Sequence, residues 1–281
     1  MCPFAHEYAL FWTAALLLLG ASGVSVAQIR HPEWPLRSLF MVVLCGGLAF
    51  QTLAIYMRGD LRGQFPITNP FETLQAIVWS TVALTLVLRY SLGIPLLNLF
   101  GCAISAGLGL LALMMPHWDD TTARAVGQGT PWSSFHAWVA VLGYGLFAVL
   151  TATSVMYLLQ HYSLKRGWLG GLFSRLPSIR RLESFNRHVL LAGLVALSIA
   201  LGMGLLNWLT HPAQVSMGKL LTAGALWAVY VLLYWMRESG RLRASQFAGG
   251  CALAFFGAVL ALWPLTANPE ERPPVEQVEP S

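Results

Sequence analysis

Eight apolar stretches alternate with short polar breaks along almost the whole chain. They run over Tyr8–Ala27, Leu39–Tyr56, Phe71–Leu88, Ile94–Met114, Ala137–Leu159, His188–Leu209, Leu220–Met236 and Phe247–Leu265. Each is long enough to cross a hydrocarbon core of roughly 30 Å as a helix of about 20 residues. Lipid offers no partners for backbone amides, so a spanning segment must satisfy them internally, as a helix does. The pattern therefore predicts an all-α fold, a polytopic integral membrane helical bundle with eight transmembrane helices. Residues 1–267 form a single transmembrane domain in this reading. Residues 268–281, rich in Pro and Glu, form a tail expected to be disordered.

Composition narrows the picture. The chain is 56% hydrophobic and 10% charged, with a mean hydropathy of +0.61, whereas a soluble domain carries about 25% charged residues. The spans consume most of the length and leave no room for a separate soluble domain. The net charge of +5 is not a nucleic-acid signal, because the basic residues sit in loops beside apolar stretches. Membrane lipid is the expected surrounding partner, and no nucleic acid is expected.

Placement of those basic residues predicts topology. Lys165, Arg166, Arg175, Arg180, Arg181 and Arg187 face one acid, Glu183, between the fifth and sixth spans. Arg237, Arg241 and Arg243 face Glu238 between the seventh and eighth. The positive-inside bias puts both connections in the cytoplasm. Parity then places Arg30, Arg37 and Arg89 inside as well, with both termini outside, in a plasma (inner) membrane multi-pass arrangement. One connection dissents, since Arg58 and Arg62 fall outside with only Asp60 to offset them. The first stretch follows a segment without Lys or Arg, so it is expected to remain as a span rather than act as a cleaved signal peptide.

Cys45, Cys102 and Cys251 lie inside apolar stretches and no C-x-x-C occurs, so neither a thiol pair nor covalent haem attachment to this chain is supported. No acidic pair in mid-membrane, H-E-x-x-H or nucleophile elbow is present, and no enzymatic activity is expected. Glycines in the fourth, sixth and eighth spans read as points of close helix approach.

The titratable candidates stand at helix ends on the predicted outer side: His117, His136 and His211, with Glu72 at similar depth. His136 opens the fifth span after Pro131-Trp132, and Ala140, Gly143 and Phe147 follow on its face at i+4, i+7 and i+11. A histidine above two small residues and an aromatic makes a flat slot that suits a porphyrin plane held by an imidazole nitrogen. The same pattern also describes an interfacial histidine with small residues serving helix packing. His211, in Trp208-Leu209-Thr210-His211-Pro212, is either a second axial ligand or an ordinary His-Pro turn. Trp138 or Trp132 would border the macrocycle. Asn69-Pro70-Phe71-Glu72 reads as a capping box opening the third span.

These residues carry a resemblance. Gly63–Leu74, GQFPITNPFETL, followed by Trp79, resembles the opening signature of the cytochrome c assembly proteins of the CcsA/CcmC haem-handling type, closest to the HemX-like and YpjD-like branch. His136 with Gly143-Tyr144 is similar to that family's external haem-ligand histidine and its Ser/Gly-Tyr pair. Leu182–Arg187, Gly202 with Gly204, and Tyr234-Trp235 before Arg237 follow in the family's order, over about residues 63–265. The resemblance implies a protein that binds or presents haem b at the outer face. His136 would hold the iron, with His211, Ala140, Gly143 and Trp138 about the cofactor. A cytochrome c synthetase membrane protein and an apocytochrome c would be the partners. The loop Thr210–Gly218 lacks the family's tryptophans, Gln64 and Trp235 stand where further histidines occur, and no histidine follows the last span. Haem presentation is the leading expectation; the missing tryptophans favour the alternative, a HemX-like membrane regulator or adaptor of tetrapyrrole synthesis, or of another membrane system, that binds no haem. A small-solute permease is a third, opposed by the absence of mid-membrane charge and of an inverted repeat.

Overall fold

The computed structural model describes residues 5–31, 34, 36–63, 66–92, 96–119, 131–167, 176–210 and 217–266. Among them it is all-helical: α1 Ala5–Arg30, α2 Arg37–Arg62, α3 Pro70–Leu92, α4 Leu97–Met114, α5 Pro131–Arg166, α6 Ile179–Thr210, α7 Met217–Glu238 and α8 Ala244–Thr266, with a short 3-10 turn, Pro116–Trp118, after α4. All eight are long and apolar enough to cross a membrane. The chain is a polytopic membrane protein. The proposed tail from 268 onward lies outside the described residues.

Each helix coincides with one apolar stretch, but α5 and α6 are longer. At 1.5 Å per residue, the 36 residues of α5 and the 32 of α6 span about 54 and 48 Å. The hydrocarbon core needs only about 20 residues, so this pair continues beyond the apolar limit at the end bearing Lys165, Arg166, Arg180 and Arg181. Helical hydrogen bonding persists there because the turns remain paired: Met156, Tyr157, Leu182, Phe185 and Val189 are buried, and the Asn186 amide donates to Ser154 Oγ at 3.3 Å. α2 stops where Gly63 adopts a left-handed φ of +60° and its N–H caps the Asp60 carbonyl.

The helices pack as two groups. α1 to α4 form one, through α1 against α2 and α4, and α3 against α4; α5 to α8 form the other, with α5 against α6 and α8. The seam is α5 on α3 and α4, which makes α5 the most enclosed span, while α7 is the most exposed. Small residues set the approaches. A Cβ on Gly101 of α4 would meet Thr85 Oγ1 at 2.6 Å, and one on Gly145 of α5 would meet Ser80 Oγ at 2.3 Å. One on Gly193 of α6 would meet Phe147 Cε1 at 2.6 Å, and Phe147 in turn stacks on Tyr230 of α7 with centroids 3.9 Å apart.

Candidate functional site

The densest polar arrangement gathers where α1 and α3 begin, α2 ends and the turn after α4 arrives. Arg58 lies at its centre, 1% exposed. Its Nη2 stands 3.1 Å from Glu7 Oε1 and pairs with Asp119; its Nε lies 3.5 Å from Glu72 Oε1. Arg62 Nη1 completes the set, 2.7 Å from Glu72 Oε1. Tyr8 Oη donates to Asp119, and Asn69 Nδ2 donates to Asp119 Oδ1 at 2.9 Å. The guanidinium of Arg58 also sits over the Phe71 ring, 4.7 Å from its centroid.

This cluster accounts for the one dissenting connection in the charge pattern. Arg58 and Arg62 are not free loop cations: Glu7, Glu72 and Asp119, drawn from three distant segments, surround them. Asn69 caps α3, as expected. Asn69 Oδ1 accepts from the Glu72 N–H at 2.8 Å, as an N-cap should. The Glu72 carboxylate also reaches Thr68, accepting from its N–H and hydroxyl at 2.8 Å each. That leaves its other oxygen for the arginines.

His136 faces α6. Its ring hydrogen-bonds the Ala200 backbone, and its Nδ1 is buried without a partner among the described residues. Gly204 lies directly against it, since a Cβ there would stand 3.5 Å from His136 Cε1. Gly143 does share the His136 face, but α6 covers it: a Cβ on Gly143 would meet Ala196 Cβ and the Leu197 nitrogen, each at 3.6 Å. Gly143 and Gly204 thus stand at the α5–α6 contact, with α6 rather than open space against the face that carries the imidazole. Trp138 is not brought to His136. It points to α3, edge-on to Trp79 with centroids 5.7 Å apart. Trp132 is exposed, Ala140 is half-buried on α5, and His211 lies outside the described residues.

The opposite end is basic. Its two described acids are already engaged: Glu183 accepts from Arg237, and Glu238 lies 3.0 Å from Arg187 Nε. Arg241 stacks over Trp235, 4.7 Å from its centroid. Lys165 and Arg180, on the long ends of α5 and α6, are exposed and have no acidic partner among the described residues.

No family model matches the chain. Two curated relatives do, and both are named Protein HemX. The chain resembles HemX. The protein from Brevibacillus brevis is 29% identical over 211 residues, covering 74% of this chain and 76% of that protein. The one from Bacillus subtilis (strain 168) is 26% identical over 145 residues, covering 51% of this chain, which spans about half of that relative's length (52%). The chain is thus HemX-like in sequence, and its described residues form eight helices long and apolar enough to cross a membrane.

Proposed function

We propose that this HemX-like chain is a membrane regulator or adaptor, acting on tetrapyrrole synthesis or another membrane system, and that it works without bound haem. The observation that carries the reading is the α5–α6 pair. It continues past the apolar limit of the bundle, stays helical there, and displays Lys165 and Arg180 without acidic partners among the described residues. Positive-inside bias directs this end to the cytoplasm. A helical basic projection suits capture of an acidic protein surface, since complementary charge steers encounter and fixes orientation. Two further features agree. The His136 face is closed by α6, and both matched relatives carry the HemX name.

Haem presentation to an apocytochrome with a synthetase partner is the competing reading, and among the described residues the unpartnered Nδ1 of His136 favours it. For that reading α5 and α6 would have to part at Gly143 and Gly204. The two readings separate in one preparation. The full-length protein, purified in mild detergent with its associated proteins, should bring down a soluble partner and show no Soret absorbance. Charge reversal at Lys165→Glu with Arg180→Glu should release the partner while leaving the thermal unfolding midpoint unchanged. Retention of the partner by the reversed variant overturns the role of the projection.

A further inference from the structure

A cavity of about 480 Å³ opens beside the buried ion cluster, between α2, α3 and α5. Its walls are aromatic, with Trp79, Trp138 and Tyr56, and Asp60 stands at its rim. It does not end there. Thr52 and Tyr56 also line a shallow apolar groove that continues along α2 to Cys45. Cys45, Leu48, Thr52, Tyr56 and Asp60 recur at three- and four-residue spacing, so they form one stripe on one helix. From Asp60 to Cys45 that stripe covers about 22 Å at 1.5 Å per residue, more than half of a hydrocarbon core of roughly 30 Å. The groove thus runs from the bundle's end, where charged residues cluster, well into the apolar zone.

Charge indicates what the wide end accepts. Asp60 is exposed, and its carboxylate has no ion-pair or hydrogen-bond partner among the described residues. Its neighbours Arg58 and Arg62 are turned away, engaged with Glu7, Glu72 and Asp119. The ion cluster already holds more carboxylates than guanidiniums, so nothing in it is left to neutralise Asp60 at the cavity mouth. Trp79 is held in place by its Nε1 donating to Thr52 Oγ1 at 2.9 Å, so its indole is a fixed wall. Gly63 at the rim has open space where a Cβ would project. A carboxylate beside indole and phenol rings is a site for an organic ammonium group, through charge-assisted hydrogen bonding and cation–π attraction. The apolar run below it suits a hydrocarbon chain.

We infer that the stripe from Asp60 to Cys45 binds a phospholipid with a primary-amine headgroup, its ammonium between the Asp60 carboxylate and the Tyr56 and Trp79 rings and one acyl chain along α2. An anionic headgroup is disfavoured at the same place by the uncompensated carboxylate. A lipid held there would touch α2, α3 and α5 together, and so brace the seam between the two helix groups.

The test uses full-length protein in detergent, exposed to an equimolar mixture of phosphatidylethanolamine and phosphatidylglycerol with identical chains, and native mass spectrometry of the lipid retained. The amine lipid should be retained several-fold over the anionic one. Asp60→Asn should reduce its retention by about tenfold, as expected for loss of a hydrogen bond to a charged group, and Asp60→Glu should keep most of it. Should Asp60→Asn fail to fold, the headgroup preference of the unaltered protein and the Tyr56→Ala variant decide. Equal retention of the two lipids, preference for the anionic one, or indifference to both substitutions overturns the assignment.

Discussion

Arg58 of α2 stands 3.1 Å from Glu7 of α1, and both side chains are sealed from solvent. Residues far apart in sequence thus share the centre of the ion cluster, and Glu72 and Asp119 tie two further segments to it. Breaking a buried pair by removing one partner is strongly destabilising, because the other charge is left buried. Arg58→Ala is expected to cost about 3–5 kcal/mol. The cluster holds three carboxylates and two guanidiniums, and Glu7 has the poorest hydrogen bonding of the three. Glu7→Gln is therefore expected to cost much less. Thermal unfolding in detergent ranks the two; equal losses would contradict that charge balance.

Asn69 does two jobs that substitution can separate. Its Oδ1 caps α3 and its Nδ2 holds Asp119. Asn69→Ala should lose both, with about 1 kcal/mol from the cap alone and a similar amount from the second bond. Asn69→Ser should keep the cap and lose only the bond to Asp119. The expected stability order is Asn, then Ser, then Ala, read from unfolding midpoints; Ser falling level with Ala would assign the whole effect to Asp119.

Two glycines of α6 should respond differently. A methyl group on Gly193 drives into Phe147, which has no retreat because it stacks on Tyr230. Gly193→Ala should cost about 1–3 kcal/mol through overpacking. A methyl group on Gly202 would meet nothing within 4 Å, so Gly202→Ala should stay within about 0.5 kcal/mol of the parent. A comparable loss at both would refute the packing of α6 against α5.

How far the sequence reached depends on the kind of signal. All eight helices were legible, since a run of apolar residues in lipid has one way to satisfy its backbone. Their ends were not: α5 and α6 outlast the apolar stretch because protein, rather than lipid, covers Tyr157, Leu182 and Phe185, and hydropathy does not register that. The ion cluster left one trace, the misplaced positive charge of Arg58 and Arg62. Finding their partners required knowing that α1, α3 and the turn after α4 converge. At His136 periodicity correctly grouped Gly143 and Phe147 on its face. It carried no information on whether a ligand or a helix lies opposite, and here α6 does. Trp138, two positions beyond the histidine, lies on another face, against Trp79.

This HemX-like bundle works, on the function proposed above, with the His136 face closed. The most direct test is the absorption spectrum of the full-length protein purified in mild detergent, before and after dithionite, beside His136→Ala. No Soret band is expected in either protein, and no change on reduction. A Soret band that shifts with dithionite and disappears in His136→Ala would contradict the closed face.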